Sequence, residues 1–184
     1  MSGPLASDLL RPYLVKDVMT SAVYTARPEE SLLSAAETMR RHHVSGLPVV
    51  DAGNHLVGVL SEKDIVRAVD RQTGVGRARG ILDLLLASLE PKPKDRLHES
   101  VAALLNGLVR DAMSHPAVSV EADTSFGEAS RLLGKFSVNR LPVVEDGQLV
   151  GIVTRQDVLK VLHGAVPRTA RPRQRPARGN PTAA

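Results

Sequence analysis

The spacing of apolar and polar positions changes period along the chain, and it does so in the same order twice. Leu32, Ala36, Met39 and His43 recur at helical spacing and predict an amphipathic helix over 31–43, with those four as its buried stripe. Phe126, Ala129, Leu132, Leu133 and Phe136 predict its counterpart over 125–136. Ser125 and Glu128 have capping-box spacing, in which the hydroxyl and the carboxylate satisfy free amides of the first turn. Before each helix lies a short strand, around 23–25 and 118–120, and before that a helical turn ending in Asp17-Val18-Met19 or Asp111-Ala112-Met113. After each helix two apolar runs predict a hairpin, 47–50 with 56–60 and 141–144 with 149–153. Asp146-Gly147 is a tight-turn signal, because glycine takes positive φ at little cost; the first copy uses the longer turn 51–55. Helices over 62–71 and 155–162 close the two series.

The likeness extends to identity. Residues 14–50 lie on residues 108–144 without a gap, with 11 of 37 positions identical. After one deletion in the turn, Leu56–Asp64 (LVGVLSEKD) meets Leu149–Asp157 (LVGIVTRQD). A repeat of this length means two copies of one supersecondary unit that bury their apolar faces together. The predicted fold is therefore α+β, two β-α-β-β-α repeats packed pseudo-symmetrically, and paired clefts between copies suit a ligand better than a reaction. Repeat 1 covers 14–70 and repeat 2 covers 108–163. The linker, 71–107, predicts two helices, over 81–89 and 95–105, separated by Pro91-Lys92-Pro93; they either cover an edge of the module or meet a partner.

Composition narrows the chemistry. With no cysteine, disulfides, thiolate metal sites and cysteine nucleophiles are excluded. No secretory h-region and no apolar run near the roughly 18 residues of a membrane span appear, so a reducing cytoplasm is the expected setting and no membrane the expected partner. The pI near 9.8 comes from the tail, 164–184, which holds Arg168, Arg171, Arg173, Arg175 and Arg178 and no acid. Without those five, 19 basic residues face 20 acidic ones, a net charge of −1. A Pro/Arg/Gly/Thr segment of this kind cannot bury a core and is expected to be disordered.

The chemistry-bearing motif is Gly58-x-x-Ser61-x-x-Asp64, repeated as Gly151-x-x-Thr154-x-x-Asp157. A strand ends at the hydroxyl residue and a helix begins, so free N–H groups and about half a positive charge attract phosphate there. The hydroxyl can join that phosphate, and an aspartate one turn on can accept bonds from both hydroxyls of a ribose. The same spacing equally satisfies a plain capping box, with no ligand implied. Lys63 and Arg155 follow the hydroxyls; they either favour a polyanionic nucleotide over a sulfonium ligand or point to water.

With Asp17-Val18-Met19, Val44-Ser-Gly-Leu-Pro-Val-Val50 and the Gly-x-x-Ser-x-x-Asp motif, each with its second-copy equivalent, the chain resembles a tandem pair of CBS domains, the type first named for cystathionine β-synthase. The resemblance covers roughly 14–69 and 108–162. It implies a disc-like α+β module, commonly a homodimer, that binds adenosine ligands such as AMP, ADP, ATP or S-adenosylmethionine. Carried over by position, Asp64 and Asp157 would hold ribose, and Ser61 and Thr154 would sit at the phosphates. Thr20, Ala22, Val44, Ser45 and Gly46 would face Thr154 and Asp157, while Ser114, Pro116, Val138, Asn139 and Arg140 would face Ser61 and Asp64. Val44 and Val138 would pack the adenine. Ser45-Gly46 becomes Asn139-Arg140 in the second copy, so Arg140 would either pair with a phosphate or fill its cleft.

The adjacent His42 and His43 point about 100° apart on a helix and chelate poorly, so no metal is expected, and His43 reads as a packed histidine. No nucleophile elbow occurs, and the module is not expected to be an enzyme. The expectation is a stand-alone regulatory module for AMP, ADP or ATP that signals through its dimer or an unidentified partner. The rivals are a nucleic-acid-associated dimer using the arginine tail and a scaffold that binds no ligand.

Overall fold

The structure, a computed structural model, describes Leu10, residues 13–73 and residues 106–164. Both predicted linker helices and the arginine tail from 165 onward lie outside the described residues. In chain order the elements are α1 (Val15–Val18), α2 (Leu32–Arg41), β1 (Gly46–Val50), β2 (Leu56–Ser61), α3 (Glu62–Thr73), α4 (Val109–Ala112), β3 (Val120–Glu121), α5 (Phe126–Lys135), β4 (Arg140–Glu145), β5 (Gln148–Thr154) and α6 (Arg155–Leu162). In each repeat a helical turn, an amphipathic helix, a hairpin and a closing helix follow in the predicted order, and the α+β fold of two repeats is observed.

The contacts divide the chain into two units whose borders cut across the repeats. One unit takes Ala22–Val118 with Asp146–Leu149; the other takes Met1–Ser21, Ser119–Glu145 and Val150–Ala184. Each repeat thus gives its opening turn to the unit that holds the other repeat's hairpin. We call them the Asp64 unit and the Asp157 unit.

In the Asp64 unit β1 and β2 pair antiparallel, with Gly46 opposite Ser61 and a shift of register between Val49 and Val50. The predicted strand over 23–25 does not form. Only Ala26 is bridged, parallel to Val49, through bonds of 3.0 Å from Ala26 N to Pro48 O and from Val50 N to Ala26 O. Tyr24 instead lies exposed, with its ring stacked on His42 at 3.6 Å between centroids. The core packs Leu32, Ala36 and Met39 of α2 against Leu47, Val49 and Leu60 of the hairpin and Ile65 of α3. Asp51 Oδ1 accepts from Gly53 N and His55 N and closes the hairpin turn; the His55 amide foremost holds its carboxyl below the ordinary 3.8. The Asp157 unit has the sheet order β3-β4-β5, with β3 parallel to β4. Phe126, Leu133, Leu141, Val143 and Val153 are buried there.

Two expected core positions are not core. His43 is exposed because the chain has left the helix: it has φ 53, and Ser137, its counterpart, has φ 52. Val44 N donates to Met39 O and His43 N to Arg40 O, the paired bonds of a Schellman turn, and Val138 and Ser137 repeat them to Leu133 and Gly134. Phe136, expected on the second stripe, is likewise past the end of α5 and 46% exposed, with Lys135 Nζ 5.3 Å from its ring centre. The capping box at Ser125 is half formed. Its Oγ accepts from Glu128 N at 3.2 Å, but the Glu128 carboxylate turns to Arg131, which holds its pKa below the ordinary 4.5.

Candidate functional site

The Schellman turns carry the chain from a helix end to the start of the next strand. They deliver Ser45 and Asn139 to the helix that follows in the same repeat: Glu62 N donates to Ser45 O at 3.2 Å and Arg155 N to Asn139 O at 3.1 Å. The first free amide of α3 and of α6 is thereby taken by the chain itself. Immediately before those amides sit the hydroxyl residues, and one turn beyond them the aspartates.

Both aspartates are buried, Asp64 at 8% exposure and Asp157 at 5%. In the Asp64 unit, Ser61 donates to Asp64 Oδ2 twice, from N at 2.9 Å and from Oγ at 2.5 Å. In the Asp157 unit, Thr154 N and Oγ1 donate to Asp157 Oδ2 at 2.9 and 2.8 Å. The motif therefore takes its capping arrangement, with the hydroxyls bonded to their own carboxylates. A ligand phosphate would have to draw each hydroxyl away from that bond.

The other carboxylate oxygens differ. Asp64 Oδ1 accepts from Ser114 Oγ at 3.2 Å and lies 3.8 Å from Arg67 Nη1. Asp157 Oδ1 accepts from Lys160 Nζ at 2.9 Å. A carboxylate offers about four lone-pair directions. With Oδ2 doubly engaged, each aspartate can meet a ribose diol only through Oδ1.

Each site receives a segment from the other repeat. Ser114 reaches Asp64 on an isolated bridge to Val59, with bonds of 3.0 and 2.9 Å. Thr20 bridges Ile152 in the same way beside Asp157, with two bonds of 3.0 Å. The motif glycines make these bridges possible. A Cβ on Gly58 would sit 2.6 Å from Met113 Sδ and 3.1 Å from Ser114 O, and one on Gly151 would overlap Met19 Sδ. The methionine of the Asp-x-Met motif and the motif glycine are two halves of one contact, which explains both by packing, whereas Asp17 accepts from Leu14 N at 2.9 Å in its own turn.

Of the residues expected beside Thr154 and Asp157, Thr20 is in their unit; Ala22, Val44, Ser45 and Gly46 belong to the Asp64 unit. Of those expected beside Ser61 and Asp64, Ser114 and Pro116 are in their unit; Val138, Asn139 and Arg140 belong to the Asp157 unit. Lys63 is exposed. Arg155 Nε donates to Val138 O at 3.0 Å and Nη2 to Leu133 O at 3.3 Å, which caps the end of α5. Sequence reasoning overlooked Lys160 and Arg67. Their i+3 spacing from the aspartates, basic in both copies, was the available signal. Among the described residues no group of three or more histidine or acidic side chains is arranged to hold a metal, and no helix is long and apolar enough to cross a membrane.

Comparison with known proteins places this geometry. Residues 15–71 and 109–164 each match the family model of the CBS domain. The chain is 32% identical over 153 residues to an uncharacterised protein of Methanocaldococcus jannaschii, a match spanning 81% of this chain and 90% of that one. Among solved structures it is similar to the CBS domain of a CBS domain-containing membrane protein from Sphaerobacter thermophilus, at 30% identity and a TM-score of 0.63 over 85% of this chain and 91% of that one. It is also similar to CBSX2 solved in complex with AMP, at 31% identity and a TM-score of 0.62 over 83% and 97% of the two chains.

Proposed function

The chain belongs to the CBS-domain family, and from that premise we propose that it is a regulatory module that binds adenosine-type nucleotides such as AMP, ADP or ATP. One observation carries the reading: a buried aspartate one turn into a helix, behind a strand-terminal hydroxyl, occurs at matched positions in both repeats. A buried carboxylate presented with its hydroxyl at a helix start suits a diol next to an anion. That CBSX2, a similar protein, was solved with AMP supports the same class of ligand.

In this reading Asp64 and Asp157 take the ribose through Oδ1, and Ser61 and Thr154 turn from carboxylate to phosphate. Val44 and Val138 supply apolar surface for adenine, and Lys63 adds a cation near Ser61. The bound state is relayed by altered contacts in a homodimer or with a regulated protein, in the cytoplasm.

A second reading has its own observation. The Oδ2 oxygens are fully engaged as caps, as they would be in an interaction scaffold that binds nothing. Thermal shifts against AMP, ADP, ATP, NAD and S-adenosylmethionine separate the two. Ligand at 100 times its Kd should add about 2.7 kcal/mol of stability. The pair Asp64→Asn and Asp157→Asn should abolish the shift. No shift with the whole panel selects the scaffold, and a shift that survives both substitutions refutes the ribose assignment.

A further inference from the structure

The two aspartates are not equivalent acceptors, and the difference lies in what sits on Oδ1. At Asp64 the donor is the neutral hydroxyl of Ser114 at 3.2 Å, with the nearest cation, Arg67, at 3.8 Å. At Asp157 it is an ammonium, Lys160 Nζ, at 2.9 Å, and no hydroxyl from Thr20, the counterpart of Ser114, reaches the carboxylate. Lys160 is 60% exposed while Asp157 is almost wholly buried, so the lysine reaches inward from the surface and can withdraw to water. A ribose diol that gives both hydroxyls to Oδ1 needs the direction that Nζ holds, while Thr154 N and Oγ1 occupy Oδ2 unless a phosphate draws the hydroxyl away.

We propose that Lys160 is a specificity-determining residue that competes with the ribose for Asp157, so that the two positions bind adenosine nucleotides unequally, Asp64 first. This rests on the nucleotide reading above. A diol arriving at Asp64 replaces one neutral hydroxyl donor by another. A diol arriving at Asp157 must break a charge-assisted bond, which is stronger than a neutral one. Exposed ion pairs are modest, so the handicap is a few-fold, up to about fivefold. It is also salt-dependent, because salt screens the competitor and leaves an uncharged ligand unaffected.

The test uses isothermal titration of the full chain with adenosine, whose lack of phosphate removes other charge contacts, and then with AMP. The wild type should show two affinity classes, the weaker lost in Asp157→Asn and the tighter lost in Asp64→Asn. Lys160→Met keeps the apolar stem and removes the charge. It should tighten the weaker class a few-fold and leave the tighter one unchanged. Raising KCl from 50 to 500 mM should tighten adenosine at the weaker position in the wild type and not in Lys160→Met. Weaker binding in Lys160→Met means the lysine contacts the ligand and overturns the proposal, as does an unchanged weak class. Absence of adenosine and AMP binding in every form, Lys160→Met included, overturns the nucleotide reading itself. Binding that ignores only Lys160 overturns this inference alone.

Discussion

Gly58→Ala tests whether the motif glycine is there for packing. The added Cβ lands 2.6 Å from Met113 Sδ and 3.1 Å from Ser114 O. Non-bonded carbon contacts relax near 3.5–4.0 Å, so the sulfur must retreat by about 1 Å. Methionine can do so by leaving its rotamer, at a cost of about 0.5–1.5 kcal/mol. The Ser114 carbonyl is backbone and cannot swing aside. It must move a few tenths of an ångström and weaken the bridge of 3.0 and 2.9 Å that it shares with Val59, whose bonds contribute about 1 kcal/mol each. The total is about 1.5–3 kcal/mol of destabilisation, within the range for overpacked cores. Urea unfolding followed by circular dichroism measures it. Gly134→Ala is the control, since a Cβ there meets nothing within 4 Å on an exposed turn of α5. That substitution should stabilise by up to about 1 kcal/mol from helix propensity. Met113→Ala combined with Gly58→Ala should cost less than the sum of the singles by about 1 kcal/mol, because the smaller side chain removes the clash. A Gly58→Ala protein as stable as the wild type, or strictly additive behaviour in the cycle, would refute the packing account.

Three further outcomes follow from the same geometry. Asp64→Ala and Asp157→Ala should each destabilise by about 1–2 kcal/mol in urea unfolding without any ligand, because Ser61 N and Thr154 N lose their acceptors; a loss seen only with nucleotide present would contradict the capping role. His43→Gly and Ser137→Gly should each raise stability by about 1 kcal/mol, since both residues hold positive φ, and a fall in Tm would show that their side chains matter more than their backbone. Glu128 is depressed below its ordinary 4.5, first by its hydrogen bond to Arg131, so its contribution to stability is complete above that value and is lost as pH falls through the lower folded pKa. Carboxyl carbon NMR should find its midpoint below 4.5, and Arg131→Met should return it upward; an unmoved midpoint means another group sets it.

How far the sequence could be read depended on the range of the interaction. Helix α6 has the expected bounds and α2 and α5 lie one or two residues inside theirs, because period and caps are local properties. His43 and Phe136 were misplaced because the helical period runs on past the residue where the backbone turns left-handed, and neither position is a glycine that would have announced the turn. The strand expected over 23–25 failed since a pair of β-branched residues makes a strand only where a partner edge is offered, and that edge meets Ala26 alone. At the site, the aspartates and hydroxyls were legible from their repeated spacing. The seat of Lys160 on Asp157, and the bonds of Arg155 at the end of α5, depend on rotamers and neighbours that spacing does not encode.

Reading residues alone is enough to show that one helix–hairpin–helix unit occurs twice, where its helices start, and which two carboxylates lie one turn inside a helix. These follow from periodicity and from hydrogen bonding between residues three or four apart. Three-dimensional packing was needed to show that each repeat lends its opening turn to the other's hairpin, that the motif glycine makes room for a methionine about 55 or 132 positions away in the chain, and that Ser114 and Lys160 give the paired aspartates unlike neighbours. Those contacts are fixed by close packing between segments remote in sequence, where one side chain's position is set by the shape of another.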